Sequence, residues 1–199
     1  DWSEAREAWN GLIATGEHDD EARYFLAQTE ELAERPEVAL ELYRQVIDGP
    51  FRVDAGTRLA VLAAKAGRVA EGRERLAQLR LVAPDRAVDL YLAEAELLRK
   101  HGSAEEVREV YDAALKAHPD DVELLYARAL LAAEQGRIAD AEAGFKRVLA
   151  KEPDHADALN ALGYTLADLT SRHKEALGYI TRALALKPDN PAFLDSMGW

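Results

Sequence analysis

The sequence predicts an all-α fold in which antiparallel helix hairpins stack on one another. Five prolines recur at intervals of 34 or 35 residues, and each follows a run in which apolar and charged residues alternate: Pro50, Pro84, Pro119, Pro153 and Pro188. A period of this length is typical of helical solenoids. Each period contains two segments with helical spacing of apolar residues, and one helix pair cannot bury its apolar face alone. Neighbouring pairs must therefore stack.

The second helix of each pair shows the most regular pattern. A small residue, a large residue four positions later and another apolar residue three positions after that precede the proline, as in Ala141, Phe145, Val148 and Pro153. This spacing places the three residues on one helix face, and the proline ends the helix because its ring has no N–H. The pattern recurs, sometimes shortened or incomplete, at Ala5, Trp9 and Leu12, at Ala39, Tyr43 and Val46, at Gly72, Leu76 and Leu79, at Val107, Tyr111 and Ala114, and at Ala176, Ile180 and Ala183.

The first helix of each pair contains a large residue followed by a small one. Leu162-Gly163 and Met197-Gly198 are the strongest examples. Glycine inside a helix costs roughly 1 kcal/mol relative to alanine, so its presence predicts a close contact between the two helices of a hairpin. A second glycine follows at the predicted bend and is expected to cap the first helix, at Gly67, Gly102 and Gly136.

These features together resemble the tetratricopeptide repeat. The Leu-Gly step, the bend glycine, the Ala-x-x-x-Phe pair and the closing Pro-Asp all occur in residues 122–199, and the resemblance extends over the whole chain. It implies a right-handed superhelix of stacked hairpins. Arg128-Ala129 and Glu94-Ala95 replace the Leu-Gly step, Thr170-Ser171 replaces the bend glycine, and residues 20–50 are the most divergent.

We expect residues 1–199 to form a single array that is a fragment of a longer solenoid. Residues 1–16 are predicted to be the second helix of a truncated repeat, and residues 189–199 the start of a further one. Open ends of this kind expose apolar faces, so self-association through them is expected. The five complete repeats are predicted at residues 20–50, 51–84, 85–119, 120–153 and 154–188.

The composition limits the partners of the chain. Its 25 Lys and Arg against 37 Asp and Glu give a net charge of −12, which repels nucleic acid. No apolar run approaches the ~18 residues of a membrane span, and no signal peptide is present in these residues. The sequence has no cysteine, which excludes disulfides here and is compatible with a reducing or an oxidising compartment.

Candidate chemistry is sparse, and we predict neither an enzyme nor a cofactor nor a metal site. The five histidines fall at predicted bends of different repeats and form no pair with zinc-ligand spacing: His18, His101, His118, His155 and His173. Asp120-Asp121 and the segment 154–157 lack the ligand spacing of a calcium loop, and their aspartates are better interpreted as helix N-caps. Ser103 and Glu106 have the spacing of a capping box.

The resemblance implies a concave groove, lined by the first helices, that binds a segment of a protein partner. The predicted groove residues are Tyr24, Gln28, Thr57, Val61, Leu92, Glu96, Tyr126, Leu130, Asn160, Tyr164 and Trp199. Tyrosine suits such a surface because it gives a large contact area and a hydroxyl. The alternative is that the tyrosines only pack against neighbouring helices.

The groove sequence also indicates what kind of segment binds. Family members that hold chaperone C-termini use Lys and Asn to clamp a carboxylate, and these positions here do not provide that clamp. Acidic residues nearby predict a neutral or basic segment with apolar anchors, namely Asp89, Glu123, Glu134, Asp157 and Asp168. We therefore predict a non-enzymatic scaffold. The alternative is a structural, self-assembling solenoid or a general assembly factor.

A narrower resemblance concerns large bacterial repeat proteins that are anchored to the outer membrane as lipoproteins. Residues 159–164 and 189–199 are similar to this group, and in particular to an adaptor of a periplasmic carboxyl-terminal processing protease. The resemblance implies a periplasmic scaffold that presents cell-wall hydrolases to the protease. Its lipid anchor would lie upstream of Asp1, since anchoring requires a cysteine. A cytoplasmic location is the alternative.

Overall fold

The computed structural model describes residues 2–16 and 18–198. This part of the chain contains twelve α-helices and one short 3-10 helix, Pro84–Arg86, which confirms the predicted all-α class. The α-helices are α1 (Trp2–Thr15), α2 (Asp19–Leu32), α3 (Pro36–Gln45), α4 (Arg52–Lys65), α5 (Val69–Val82), α6 (Ala87–His101), α7 (Ala104–Ala117), α8 (Val122–Glu134), α9 (Ile138–Lys151), α10 (Ala156–Leu169), α11 (His173–Leu186) and α12 (Pro191–Gly198).

The chain forms two compact units, residues 1–107 and 108–199, and the boundary between them falls inside α7. In the first unit, each helix from α1 to α6 packs against the next one, and α4 also contacts α6. In the second unit, the helices from α8 to α12 pack in the same sequential way, and α10 also contacts α8 and α12. Within each unit, consecutive helices therefore form hairpins whose first helices lie side by side.

The apolar stripe of the second helices forms much of the core. In α9, Ala141, Phe145 and Val148 are completely buried, as the spacing predicted. The stripes of α3, α5, α7 and α11 are buried in the same way. Helix α1 is different, because none of its described residues is buried and Leu12 is 42% exposed. Trp9 of α1 instead stacks on Phe25, with ring centroids 5.2 Å apart.

Gly163 allows α10 and α11 to approach closely, as predicted from the Leu-Gly step. A Cβ atom at this position would lie 2.6 Å from Ile180 Cγ1 and 2.9 Å from the carbonyl oxygen of Ala176. The second distance is to backbone, which cannot rotate away as a side chain can. The glycine therefore determines how near the two helix axes can come.

The bend after a first helix requires a residue with positive φ. Gly67 and Gly136 have φ of 80° and 67°, and Glu34 has φ of 59° at the same place after α2. A non-glycine residue is uncommon in this region, so Glu34 marks one place where residues 20–50 depart from the repeat pattern while keeping its bend. Gly102 also ends its helix, but in an extended conformation in which its N–H donates to the Leu98 carbonyl.

Helix N-termini follow the predicted capping in two cases out of three. The Asp121 carboxylate accepts from the Leu124 N–H at 2.9 Å, and Ser103 and Glu106 form the expected capping box. The prediction for residues 154–157 was wrong. His155 caps α10 there, with Nδ1 accepting from the Ala158 N–H at 3.1 Å. The neighbouring Asp157 is instead engaged by Lys187.

Candidate functional site

An open groove lies between the first helices α8 and α10 of the second unit. Its volume is about 440 Å³. It contains two of the predicted groove residues, Leu130 and Tyr164, which come from different repeats. The remaining lining residues are Ala133, Glu134 and Gly136 on one side and Ala161, Thr165, Asp168 and Leu169 on the other.

The groove combines an apolar surface with carboxylates at its bend end. Tyr164 and Leu169 are 40% and 39% exposed, so both present contact area to solvent. The Thr165 hydroxyl donates to the Ala161 carbonyl at 2.7 Å and is therefore already engaged within α10. Asp168 is exposed, and no residue in the described part of the chain forms an ion pair with it. A cationic group entering the groove would meet this carboxylate.

Tyr126 and Asn160 do not line this groove. The Tyr126 ring stacks on His155 at 5.3 Å and lies 6.0 Å from Phe145. Burial, with a smaller contribution from Asp157, raises the pKa of Tyr126. Asn160 Oδ1 is buried, with no hydrogen-bond partner among the residues described. Tyr126 therefore serves mainly to pack one repeat against the next, and its partner His155 is half-buried.

Tyr24, in the first unit, belongs to an aromatic cluster. Its ring stacks on Phe51 with centroids 4.6 Å apart and contacts Phe25 edge-on at 5.4 Å, and only 8% of the residue is exposed. The Gln28 amide donates to the Tyr24 hydroxyl at 2.9 Å. Burial raises the pKa of the Tyr24 phenol. Most of the contact area expected for a partner is thus used by neighbouring helices.

The space between α2 and α4 is bridged by ion pairs. Arg58 donates to both oxygens of Glu31, with Nε 3.1 Å from Oε2, and Lys65 Nζ lies 3.6 Å from the same carboxylate. Two predicted groove residues of α4 flank this cluster: Val61 is half-buried, and the Thr57 hydroxyl donates to the Val53 carbonyl at 2.9 Å. The sequence pattern did not reveal the ion-pair cluster.

Leu92 and Glu96, on α6, line neither of these surfaces. Leu92 is half-buried, and Glu96 is exposed with Lys100 at 2.9 Å on the same helix. Between them, Glu94 occupies the position of the missing leucine in the Leu-Gly step. It is buried and accepts from Arg73 at 3.0 Å and Arg80 at 2.8 Å, so an ion-pair network replaces the apolar contact. The last predicted residue, Trp199, lies outside the described residues.

The described residues contain no cluster of three or more His, Asp or Glu side chains arranged to hold a metal ion. Searched over the same residues, no helix is both long and apolar enough to cross a bilayer.

Several groove residues were missed by the sequence analysis. Leu169 lies five positions after Tyr164, which is not the spacing of a shared helix face. Ala133 lies three positions after Leu130 and Ala161 three positions before Tyr164, so these two alanines share a face with a predicted groove residue. Helical spacing alone could have identified them. An alanine does not by itself indicate a groove position, because alanine is common both in cores and on surfaces.

Comparison with known proteins identifies the repeats. Two tetratricopeptide repeat profiles match the chain, one over residues 1–52 and 126–191 and the other over residues 88–131. The chain is 43% identical over 180 residues to TPR repeat-containing protein PA4667 from Pseudomonas aeruginosa. This match covers 90% of the chain and 30% of the relative, so the chain spans less than a third of that protein.

Solved structures share the fold at low sequence identity. YrrB, described as a TPR protein with an unusual peptide-binding site, has a TM-score of 0.60 and 20% identity, with 98% of this chain and 100% of YrrB covered. PilW, a type IV pilus biogenesis factor, has a TM-score of 0.67 and 18% identity, covering 98% and 90%.

A third structure, the C-terminal part of a TPR repeat-containing protein from Cytophaga hutchinsonii, has a TM-score of 0.70 and 13% identity, covering 98% and 78%. Proteins of this family are generally binding scaffolds for other proteins. With more than half of its residues matched by the first profile, the chain belongs to the tetratricopeptide repeat family.

Proposed function

We propose that the chain is a non-enzymatic scaffold that holds a segment of another protein in the groove between α8 and α10. The observation that carries this proposal is the exposure of Tyr164 and Leu169 beside Leu130 in an open groove. Exposed aromatic and aliphatic side chains in a concave site are the usual anchors for a partner. In the first unit, by contrast, Tyr24 is buried, and the equivalent cavity of about 550 Å³ is lined by ion-paired and basic side chains, among them Glu31, Lys65 and Arg68.

The charge of the chain supports a neutral or basic partner segment. The net charge is −12, and the two charged residues that line the groove, Glu134 and Asp168, are both acidic. Complementary charge accelerates association and selects against acidic competitors. Binding should therefore weaken as the salt concentration rises, since exposed charges are screened.

The test is selection of peptides from a random displayed library against the 199-residue chain. Peptides that bind the chain should lose about tenfold in affinity, or ~1.4 kcal/mol, when Tyr164→Ala is introduced. Leu177→Ala is the matched control, because Leu177 is 52% exposed on α11 and does not line the groove. Equal affinity for the Tyr164→Ala variant and the wild type at similar melting temperature would contradict the proposal.

Tyr126, the other tyrosine predicted for the groove of this unit, is a poorer site for substitution. Tyr126→Ala would remove contacts with Phe145 and His155 and so lower stability as well as binding. Tyr164 is the better probe because 40% of it is exposed.

We further propose a more specific role as a lipoprotein adaptor in the periplasm, anchored to the outer membrane, that presents cell-wall hydrolases to a carboxyl-terminal processing protease. The resemblance of residues 159–164 and 189–199 to such adaptors supports it. The proposal predicts that the full-length protein accelerates hydrolase degradation by the protease of the same organism. Unchanged degradation by a protease that still cleaves an unfolded control substrate would overturn it.

The location can be tested separately. The full-length protein should appear in the outer-membrane fraction and incorporate labelled palmitate. Recovery in the cytoplasmic fraction without label would favour the cytoplasmic alternative. A mass that falls on dilution in sedimentation velocity would instead favour the self-assembling solenoid.

A further inference from the structure

Equivalent positions in the two units can be found by aligning their first helices. The bend aligns α2 with α8, and the leucine of the Leu-Gly step aligns α4 with α10. Counting back three positions from the positive-φ residue of the bend reaches Glu31 on α2 and Ala133 on α8. Counting back one position from Leu59 on α4 and Leu162 on α10 reaches Arg58 and Ala161. By the same alignment, Asp168 stands where Lys65 stands in the first unit.

In the first unit, the residues at these positions form an ion pair between a basic side chain and a carboxylate. The Arg58 side chain reaches from α4 to Glu31 on α2 and donates to both of its oxygens, and Lys65 adds a second positive charge at 3.6 Å. The Tyr43 hydroxyl also donates to Glu31, at 3.3 Å. The gap between two neighbouring first helices is thus bridged by basic side chains of the chain itself.

In the second unit, two of the equivalent positions have short side chains, and the third has a negative charge in place of a positive one. Ala133 and Ala161 leave space in place of Glu31 and Arg58, and the open groove of about 440 Å³ lies there. Asp168 replaces Lys65 and has no ion-pair partner in the described part of the chain. The groove has a carboxylate and an aromatic side chain, but the basic side chain that spans the first unit is missing.

We propose that this groove receives an arginine side chain from the partner segment. The guanidinium would pair with Asp168, its aliphatic stem would lie over Ala133 and Ala161, and Tyr164 would offer its ring to the cation. Arginine fits better than lysine because its planar group can pair with a carboxylate and stack on an aromatic ring at once. This inference rests on the proposed function, since it assigns one anchor of the segment that the groove holds.

The experiment uses the peptides selected on the 199-residue chain and their Arg→Gln counterparts. Selected peptides should contain an arginine next to an apolar residue, and Arg→Gln in the peptide should weaken binding about tenfold. Asp168→Asn in the chain should weaken the arginine peptide by a similar factor and leave the glutamine peptide unchanged. Asp195→Asn is the matched control, because Asp195 is exposed on α12 and does not line the groove.

A second variant transplants the ion pair of the first unit. Ala133→Glu combined with Ala161→Arg should place a cation in the groove and block the arginine peptide by at least tenfold. If this variant does not fold, charge reversal replaces it: Asp168→Lys should reject the arginine peptide and accept an Arg→Glu peptide.

The outcomes separate the two proposals. Peptides that require Tyr164 but carry no arginine, with Asp168→Asn neutral, would overturn the arginine anchor and leave the groove proposal standing. Peptides that bind regardless of both Tyr164 and Asp168 would overturn both.

Discussion

Individual side chains differ in whether they hold neighbouring repeats together or remain available to a partner. Glu142 on α9 accepts two hydrogen bonds from Arg172, which follows α10, and one from Lys146 on its own helix. These bonds lower the pKa of Glu142 to about 2, with the larger contribution from Arg172 and the smaller one from Lys146. Tyr164, in contrast, forms no hydrogen bond with any residue that the structure describes, and it is 40% exposed in the groove.

Glu142→Gln should lower the free energy of unfolding by roughly 1 kcal/mol at pH 7, as expected for a partly exposed ion-pair network. The pKa of Glu142 is lower in the folded chain than its ordinary 4.5, so its contribution is complete above that value. It is lost as the pH falls from about 4.5 toward 2. Urea unfolding of both proteins at pH 7 and pH 2.5 should therefore give a difference that shrinks at the lower pH.

Glu109→Gln is the control for this experiment, because Glu109 is exposed and has no ion pair among the described residues. It should change stability by less than about 0.5 kcal/mol at either pH. A Glu142→Gln difference that stays constant with pH would show that the ion-pair network does not stabilise the fold.

Gly163→Ala tests the close approach of α10 and α11. The added methyl would lie 2.9 Å from the Ala176 carbonyl oxygen, so the helices must separate and we expect a loss of about 1–3 kcal/mol. Gly178→Ala is the matched control. Gly178 lies within α11 with open space around its Cβ position, and alanine there should add up to ~1 kcal/mol through its higher helix propensity. Thermal unfolding that ranks the two variants in the opposite order would refute the packing role.

At the scale of the helix, a side-chain cap marks the start of α8 and of α10 but not of α2, α4 or α6. Asp121 and Asp120 are adjacent, but only Asp121 accepts a hydrogen bond from the first turn of α8. Asp120 lies outside the helix and pairs with Lys151 at 2.7 Å on the surface. Identical side chains one position apart thus have different roles.

Asp121→Ala should cost about 1 kcal/mol, because it leaves the Leu124 N–H without its acceptor. Asp120→Ala should cost less than half as much, since an exposed ion pair contributes little. Equal losses in denaturant unfolding would contradict the assignment of the cap.

The helices were predictable from the sequence to the extent that their apolar spacing determines burial. The apolar spacing predicted that Phe145 and Ile180 are core residues, and both are buried. Glycine is unfavourable inside a helix, so Gly163 predicted a close helix contact, and the structure has one there. The candidate site was less predictable. Inward position alone did not distinguish Tyr164, which is exposed, from Tyr24, which is covered by Phe25 and Phe51, because that difference depends on the size of residues in neighbouring helices.

At the scale of the whole molecule, the two units share the same helix hairpin but differ in the side chains that lie between their first helices. In the first unit, ion pairs around Glu31 and Glu94 bridge neighbouring helices, and the open cavity beside Glu31 is lined by the charged side chains of Lys65 and Arg68. In the second unit, small residues leave a groove between α8 and α10. Variation at a few positions on an unchanged repeat thus gives the two units different surfaces between their first helices.

The charge of the chain favours a basic partner over an acidic one. A chain with a net charge of −12 repels acidic segments in general, and the groove adds Asp168 at the point of contact. A basic segment is therefore favoured both by long-range attraction and by local pairing.

The central claim is that a partner segment binds between α8 and α10. The most direct measurement is photo-crosslinking of a selected peptide to chains that carry benzoylphenylalanine at position 164 or, as control, at position 177. We expect crosslinked peptide at position 164 and little at position 177, with mass spectrometry locating the arginine next to the crosslink. Equal crosslinking at the two positions, or crosslinking at position 177 alone, would contradict it.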